Sequence, residues 1–205
     1  MIKKYVYGTP FPTDAVVLDV QPSTDALPFF ETDQQGTFTY SLSENDIVYG
    51  LGEQIRGINK RGWQYVSWNY DNPNHHEDTR SLYGAHNFII IHGTVTFGAF
   101  FDFAGKMEFD IGYTKRSMMQ IHAASNNLTV YIITGESEKD IVKQFRHSGH
   151  SDMVRAAGAI RPKKIFAQSQ NSIRMLAFHW TAFIWILIIW NGTRILPLIP
   201  NDSRT

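Results

Sequence analysis

The chain predicts a mainly β fold, an antiparallel β-sandwich with one short helix after it and an irregular segment at the end. Three observations carry that reading. Short runs rich in β-branched and aromatic residues recur between turn residues along the first two-thirds of the chain. A single helical pattern, "SEKDIVKQFR", follows the last of them. Composition then shifts near Arg146: beyond it the only acids are Asp152 and Asp202, while three of the five tryptophans are Trp180, Trp185 and Trp190. The chain therefore reads as a sandwich domain over 1–146 and a tail over 147–205.

In chain order, the predicted strands are "AVVLDV" (15–20), "TFTYSL" (37–42), "IVYGL" (47–51) and "WQYVSW" (63–68). "NFIIIHGTVTFGAFFDF" (87–103) reads as a hairpin turning at His92-Gly93-Thr94, where glycine would supply a positive φ. "KMEFDI" (106–111), "MMQIHA" (118–123) and "NLTVYIIT" (127–134) complete the set. Many short strands at this spacing suit two packed antiparallel sheets. The helix has Ser137 as N-cap and Asp140 three residues on. Its apolar face is Ile141, Val142 and Phe145.

Composition narrows the function. The net charge of zero at pH 7 gives no basic surplus for a nucleic acid. Without cysteine there is no disulfide, thiolate nucleophile or Cys-based zinc site. The start "MIKKYVYGTP" lacks an apolar signal core, so a cytoplasmic location is expected. The run "FHWTAFIWILIIW" (178–190) is shorter than the roughly 20 apolar residues a bilayer span needs. Its tryptophans recur every five residues and spread around a helix, which also speaks against an interfacial anchor.

The densest polar stretch is "SWNYDNPNHHEDTRSLYGAH" (67–86). It gathers Trp68, Asn69, Asp71, His75, His76, Glu77, Asp78 and Arg80. A loop this long between strands is more often functional or disordered than idle. His75-His76-Glu77 lacks ligand spacing such as H-x-x-x-H, so no metal is expected. Carboxylate and amide groups beside an aromatic ring suit a sugar, through hydroxyl hydrogen bonds and stacking on the ring face. "YGLGEQIRGINKRG" (49–62) departs from both G-x-G-x-x-G and the P-loop, and its glycines are expected to allow bulges and tight bends. Glu53 and Asp102 are acids that could meet in space, but no catalytic pair or triad is evident and no cofactor is expected.

"YGLGEQIRGINKRG", "WNYDNP", "SLYGAHNFIII", "TFGAFFDF" and "SEKDIVKQFR", in this order, resemble the N-terminal β-sandwich of glycoside hydrolase family 31, the α-glucosidase family. The resemblance covers about residues 1–146 and implies a galactose-mutarotase-like sandwich preceding a (β/α)8 barrel. In that family the barrel holds an aspartate nucleophile and an aspartate acid/base and hydrolyses α-glycosides with retention. It also implies that Asp71, with Asn69 nearby, contacts an α-glucoside or oligosaccharide substrate. The bland role for Asp71 is to stabilise the turn before Asn72-Pro73.

The tail departs from the family, which continues with segments similar to "WAFGYGQSRWGY" and "PLDxIYMDIDYM". Reading each codon one base out of register permits them. Because Trp is only TGG and Met only ATG, His179-Trp180 must become Leu, Trp180-Thr181 and Trp185-Ile186 Asp, Trp190-Asn191 Glu, and Met153-Val154 Gly. The shifted peptide is compatible with "LDxIYMDIDYME". The expectation is a truncated, inactive relative of an α-glucosidase whose tail is a frame-shifted barrel start. A surface left bare where the barrel would pack would then favour self-association. A free-standing carbohydrate-binding sandwich is the alternative.

Overall fold

A computed structural model of the protein describes residues 1–148, apart from 14, 17, 34 and 70–72. Ten strands precede one helix. They are β1 (Ile2–Tyr7), β2 (Glu31–Thr32), β3 (Thr37–Ser41), β4 (Ile47–Gly52), β5 (Trp63–Ser67), β6 (Ala85–His92), β7 (Phe97–Asp102), β8 (Met107–Ile111), β9 (Met118–Ala123) and β10 (Leu128–Thr134), followed by α1 (Glu138–Ser148). They form two five-stranded sheets, ordered β1-β10-β7-β6-β4 and β2-β3-β9-β8-β5. The paired strands are antiparallel throughout both sheets. The predicted sandwich is therefore the observed one.

The two sheets read differently in sequence because they are covered differently. In the second sheet, β8 and β9 alternate strictly. Met107, Phe109, Ile111, Met119 and Ile121 point into the core, while Glu108, Asp110, Gln120 and His122 point out. In the first sheet, β6, β7 and β10 are buried at nearly every position. Ile89, Ile91, Phe97, Phe101, Val130 and Ile132 fill the space between sheets. Ile90, Phe100, Tyr131 and Ile133 face the other way and pack with Ile141 and Phe145 of α1. Burying both faces requires continuous apolar strands.

The helix starts where its cap was predicted. The Asp140 amide donates to Ser137 Oγ at 3.2 Å, and Asp140 Oδ2 accepts from the Glu136 amide at 3.3 Å. It runs to Ser148, two residues past the predicted end, and Ser148 Oγ closes it by donating to the Phe145 carbonyl at 2.7 Å. Phe145 stacks on Phe88 with centroids 3.9 Å apart. Gly98 of β7 lets the helix come this close, since a Cβ there would lie 2.6 Å from Ile141 Cγ2.

Three expectations change. Residues 15–20 form no named strand: Ala15 and Val16 pack against the helix-side cluster, and the Leu18 amide donates to the Ser148 carbonyl at 3.4 Å. Their apolar character serves packing in a stretch flanked by Pro10, Pro12 and Pro22, where prolines withhold ladder donors. Conversely, the N-terminal run read only as a non-signal is β1, paired with β10 from Ile2↔Ile133 to Tyr7↔Leu128. The hairpin of 87–103 forms, but Gly93 is not among the residues with positive φ. It is constrained by contact instead, because a Cβ would sit 1.9 Å from Asp46 Oδ1. The expected bulge does occur in "YGLG": the β4–β6 register shifts between Gly50 and Gly52, with Gly50 at φ 119° and buried Leu51 at φ 67°.

Gly98→Val should lower unfolding stability by about 1–3 kcal/mol through overpacking against Ile141 and Phe88. Gly57→Ala, with nothing within 4 Å of the new Cβ, should stay within about 1 kcal/mol of the wild type. Urea denaturation of both variants measures the contrast.

Candidate functional site

The long polar loop leaves β5 at Ser67 and returns at Ala85, and both ends are pinned. Asn69 Oδ1 accepts the Ala85 amide at 3.0 Å. Ser81 Oγ donates to the Trp68 carbonyl. The Val66 amide donates to the Arg80 carbonyl at 2.9 Å, so the returning limb runs beside the end of β5. From the other side, the Glu53 amide donates to the Gly84 carbonyl at 2.7 Å, and the Gly84 amide donates back to Glu53 Oε2 at 3.2 Å. Loop ends tied this way hold the intervening residues over a fixed base.

Within the loop, the His76 amide donates to Thr79 Oγ1 at 2.9 Å and the Thr79 amide to the His76 carbonyl at 3.0 Å, a local turn. His75 meets Tyr83 edge-on, with centroids 5.5 Å apart. His75, His76, Glu77 and Asp78 are all exposed, and no metal-holding group of His, Cys, Asp or Glu occurs among the described residues. Trp68 and Tyr83 expose aromatic surface near the loop base. Asn69 thus has a definite structural task. Asp71 lies outside the described residues. Glu53 and Asp102 belong to strand ends on opposite sides of β6 and keep different partners, Gly84 for Glu53 and Thr13 for Asp102.

Beneath the loop, at the start of β6, lies His86, which sequence reading did not single out. Its ring stacks on Phe100 at 5.7 Å and meets Phe145 edge-on at 5.7 Å. Burial pushes its pKa down to about 4, so it sits neutral in the aromatic layer under α1. Lys60, at the far end of "YGLGEQIRGINK", is also buried. Its Nζ donates to the Gly57 carbonyl at 2.9 Å, and burial lowers its pKa to about 8.

A concave region lies on the outer face of the second sheet, with a volume of about 350 Å³. Strand register sets its outward residues in two rows. One runs Val66, Glu108, His122, Thr37 and the other Gln64, Asp110, Gln120. Asp110 is held from several sides. Gln64 Nε2 donates to its Oδ2 at 2.9 Å, and the Tyr113 and Thr114 amides donate to its Oδ1 at 3.0 and 3.2 Å. The hydrogen bond from Lys106, 2.6 Å from Oε1, is the main reason the Glu108 carboxyl is held below its usual range, and the charges of His122 and Arg80 act in the same direction. Thr37 Oγ1 and His122 Nδ1 are 3.3 Å apart. The alternation in "KMEFDI" and "MMQIHA" already put these residues on one face. Only cross-strand register sets them beside one another.

Two antiparallel sheets, one sealed by a helix and the other open and polar, define a sandwich domain with a face and a loop available to ligands. The sequence model described as the glycosyl hydrolase 31 N-terminal galactose mutarotase-like domain matches residues 8–110, about half of the 205 residues, and the chain belongs to this family. It is 30% identical over 106 residues to alpha-glucosidase 2 of Bacillus thermoamyloliquefaciens, covering 51% of this chain and 13% of that protein. It is 24% identical over 151 residues to an alpha-glucosidase of Saccharolobus solfataricus, covering 70% of this chain and 22% of the relative. Among solved structures it is similar to a GH31 dextranase of Flavobacterium johnsoniae, a mutant complexed with isomaltotriose. The TM-score is 0.51 and the identity 26%, over 61% of this chain and 15% of that one. The chain thus spans less than a quarter of the length of these relatives.

Asn69→Ala should destabilise the protein by about 1 kcal/mol, because the buried Ala85 residue loses its amide acceptor, while Asn69→Asp should retain most of it. Thermal melts of the two variants compare them. For His86 the folded pKa, about 4, lies below the ordinary 6.5. Between these values the unfolded chain binds a proton that the folded chain does not. Stability should therefore fall as pH drops through that window, by no more than about 3 kcal/mol, and His86→Leu should remove this part of the pH dependence. Urea midpoints measured across the window check the sign.

Proposed function

We propose that residues 1–146 are the substrate-facing sandwich of an α-glucosidase-type glycoside hydrolase and that loop 67–86 is its carbohydrate-facing element. The observation that carries this reading is the family match over 8–110, which includes the entire loop. The alpha-glucosidase names of the two relatives and the isomaltotriose in the dextranase structure support an α-glucan oligosaccharide as the substrate class. In this reading Asp71 accepts hydrogen bonds from sugar hydroxyls. Asn69 ties its end of the loop to Ala85, and exposed Trp68 offers a ring to an apolar sugar face.

Hydrolysis with retention needs two carboxyl groups about 5–5.5 Å apart across the glycosidic bond. In the family these come from the barrel, and the tail after Arg146 reads as that barrel's start only one base out of register. The chain by itself is accordingly proposed to have no glycosidase activity. Purified chain incubated with an aryl α-glucoside should release no aryl alcohol above buffer; sustained turnover that survives repurification overturns this. The coding DNA supplies an independent check. Read in the shifted frame after Arg146, it should continue without early stops into "LDxIYMDIDYME", and unrelated residues there would remove the frame-shift explanation.

A further inference from the structure

A solvated sheet face normally alternates polar residues outward, so polarity alone on the outer face of the second sheet means little. Three features go beyond that. The face is concave and encloses about 350 Å³, at the lower end of the roughly 300–1,000 Å³ of small-molecule sites. One wall comes from outside the sheet: Arg80, on the returning limb of the long loop, lines the cavity while its carbonyl is tied to the Val66 amide. The floor combines donors and acceptors of several kinds around half-buried Val66, and the side chains of Arg80 and Gln120 make no hydrogen bond among the described residues.

The chemistry of the lining selects a ligand class. Two carboxylates, Glu108 and Asp110, are met by two cations: Lys106, paired with Glu108, and Arg80, whose charge also acts on Glu108. Asp110 is held by Gln64 and the 113–114 turn, which fixes the Gln64 amide at one end. With carboxylate and cation matched, the cavity carries no surplus of either sign to draw an ion, and no metal-holding group occurs among the described residues. What it presents is a grid of amide, imidazole, guanidinium and carboxylate groups. Neighbours across strands lie about 4.8 Å apart, and successive outward residues along a strand about 6.8 Å apart. Such a grid can donate to and accept from several hydroxyls at once, and Val66 can meet a C–H face.

We propose that this groove binds a neutral polyhydroxylated ligand of monosaccharide size, through Glu108, Gln120, His122, Arg80 and Gln64 and without a contribution from Asp71. Arg80 belongs to the same loop, but Asp71, Asn69 and Trp68 do not line the groove, so either assignment can fail without the other.

The test is titration of the full chain with D-glucose and, separately, maltose, followed by saturation-transfer NMR and calorimetry. The expected result is saturable binding with a Kd in the millimolar range, weakened roughly tenfold or more in Gln120→Ala and in Glu108→Gln. Asp71→Ala should leave this Kd within about twofold. Glu108 and Gln120 are exposed, so unchanged melting temperatures should separate loss of binding from loss of fold, and His122→Gln serves if either variant melts early. Absence of saturable binding by the wild-type chain overturns the proposal. So does binding that groove variants leave intact, including binding that only Asp71→Ala removes, which would place the sugar on the loop.

Discussion

The first sheet is buried on both faces, and the rest of the domain is arranged around that fact. β6, β7 and β10 have no solvent side along most of their length, so their outward residues need a cover as complete as the inter-sheet core. Helix α1 provides it with Ile141 and Phe145, and it can lie this close because position 98 has no side chain. Neutral His86 completes the aromatic layer between Phe100 and Phe145. Burial of this kind stabilises by roughly 25 cal/mol per Å² of apolar surface, which explains why a helix with only two fully inserted apolar residues is retained as part of the domain.

That burial also positions the loop. β6 begins at Ala85, directly after the polar stretch, and is among the most enclosed strands of the domain. The loop therefore returns onto a fixed support. The Glu53 and Val66 amides, beside β4 and in β5, donate to its Gly84 and Arg80 carbonyls, and the Glu53 and Asn69 side chains accept the Gly84 and Ala85 amides. The bulge at Gly50–Gly52 bends the end of β4 toward Gly84, which brings Glu53 within reach of that amide. The polar segment thereby gains a defined exit and entry, while residues 73–78 are exposed to solvent.

The second sheet takes the opposite course. Its inward residues, among them Phe38, Tyr65, Phe109 and Ile121, supply half of the core, and its outward residues are left to water. Charges there are balanced locally, as Lys106 with Glu108 and Lys3 with Asp25 show elsewhere on the surface, and such exposed pairs add little stability. The stricter polar network sits deeper. Asp46 accepts from the Tyr40 hydroxyl at 3.2 Å and from the Ser43 amide at 2.8 Å. Arg61 gathers the carbonyls of Ser43, Glu44 and Asp46. Burial, then the nearby Asp46 charge, pushes the Tyr40 pKa up to about 12, so the phenol stays a donor.

By itself the sequence determined the sandwich, eight of its strands, the capped helix and the location of the long polar loop. Each of these is written in local pattern: period-two alternation in "KMEFDI", turn residues between strands, Ser137 ahead of Asp140. It also determined family membership, because the glycine-rich and "WNYDNP" segments stand in a recognisable order. The tertiary structure decided what local pattern cannot hold. "AVVLDV" looks like a strand but supplies packing, since helix-side burial rewards apolar residues whether or not their backbone pairs. "IKKYVY", read only for its lack of a signal core, pairs along an edge, with Lys3 exposed and Lys4 over the Tyr131 ring. Gly93 is needed for the space beside Asp46, and Gly98 for the space beneath Ile141. The groove is the clearest case. Thr37, Gln64, Glu108 and His122 come from four different strands, and only the register of three separate strand pairs brings them onto one groove.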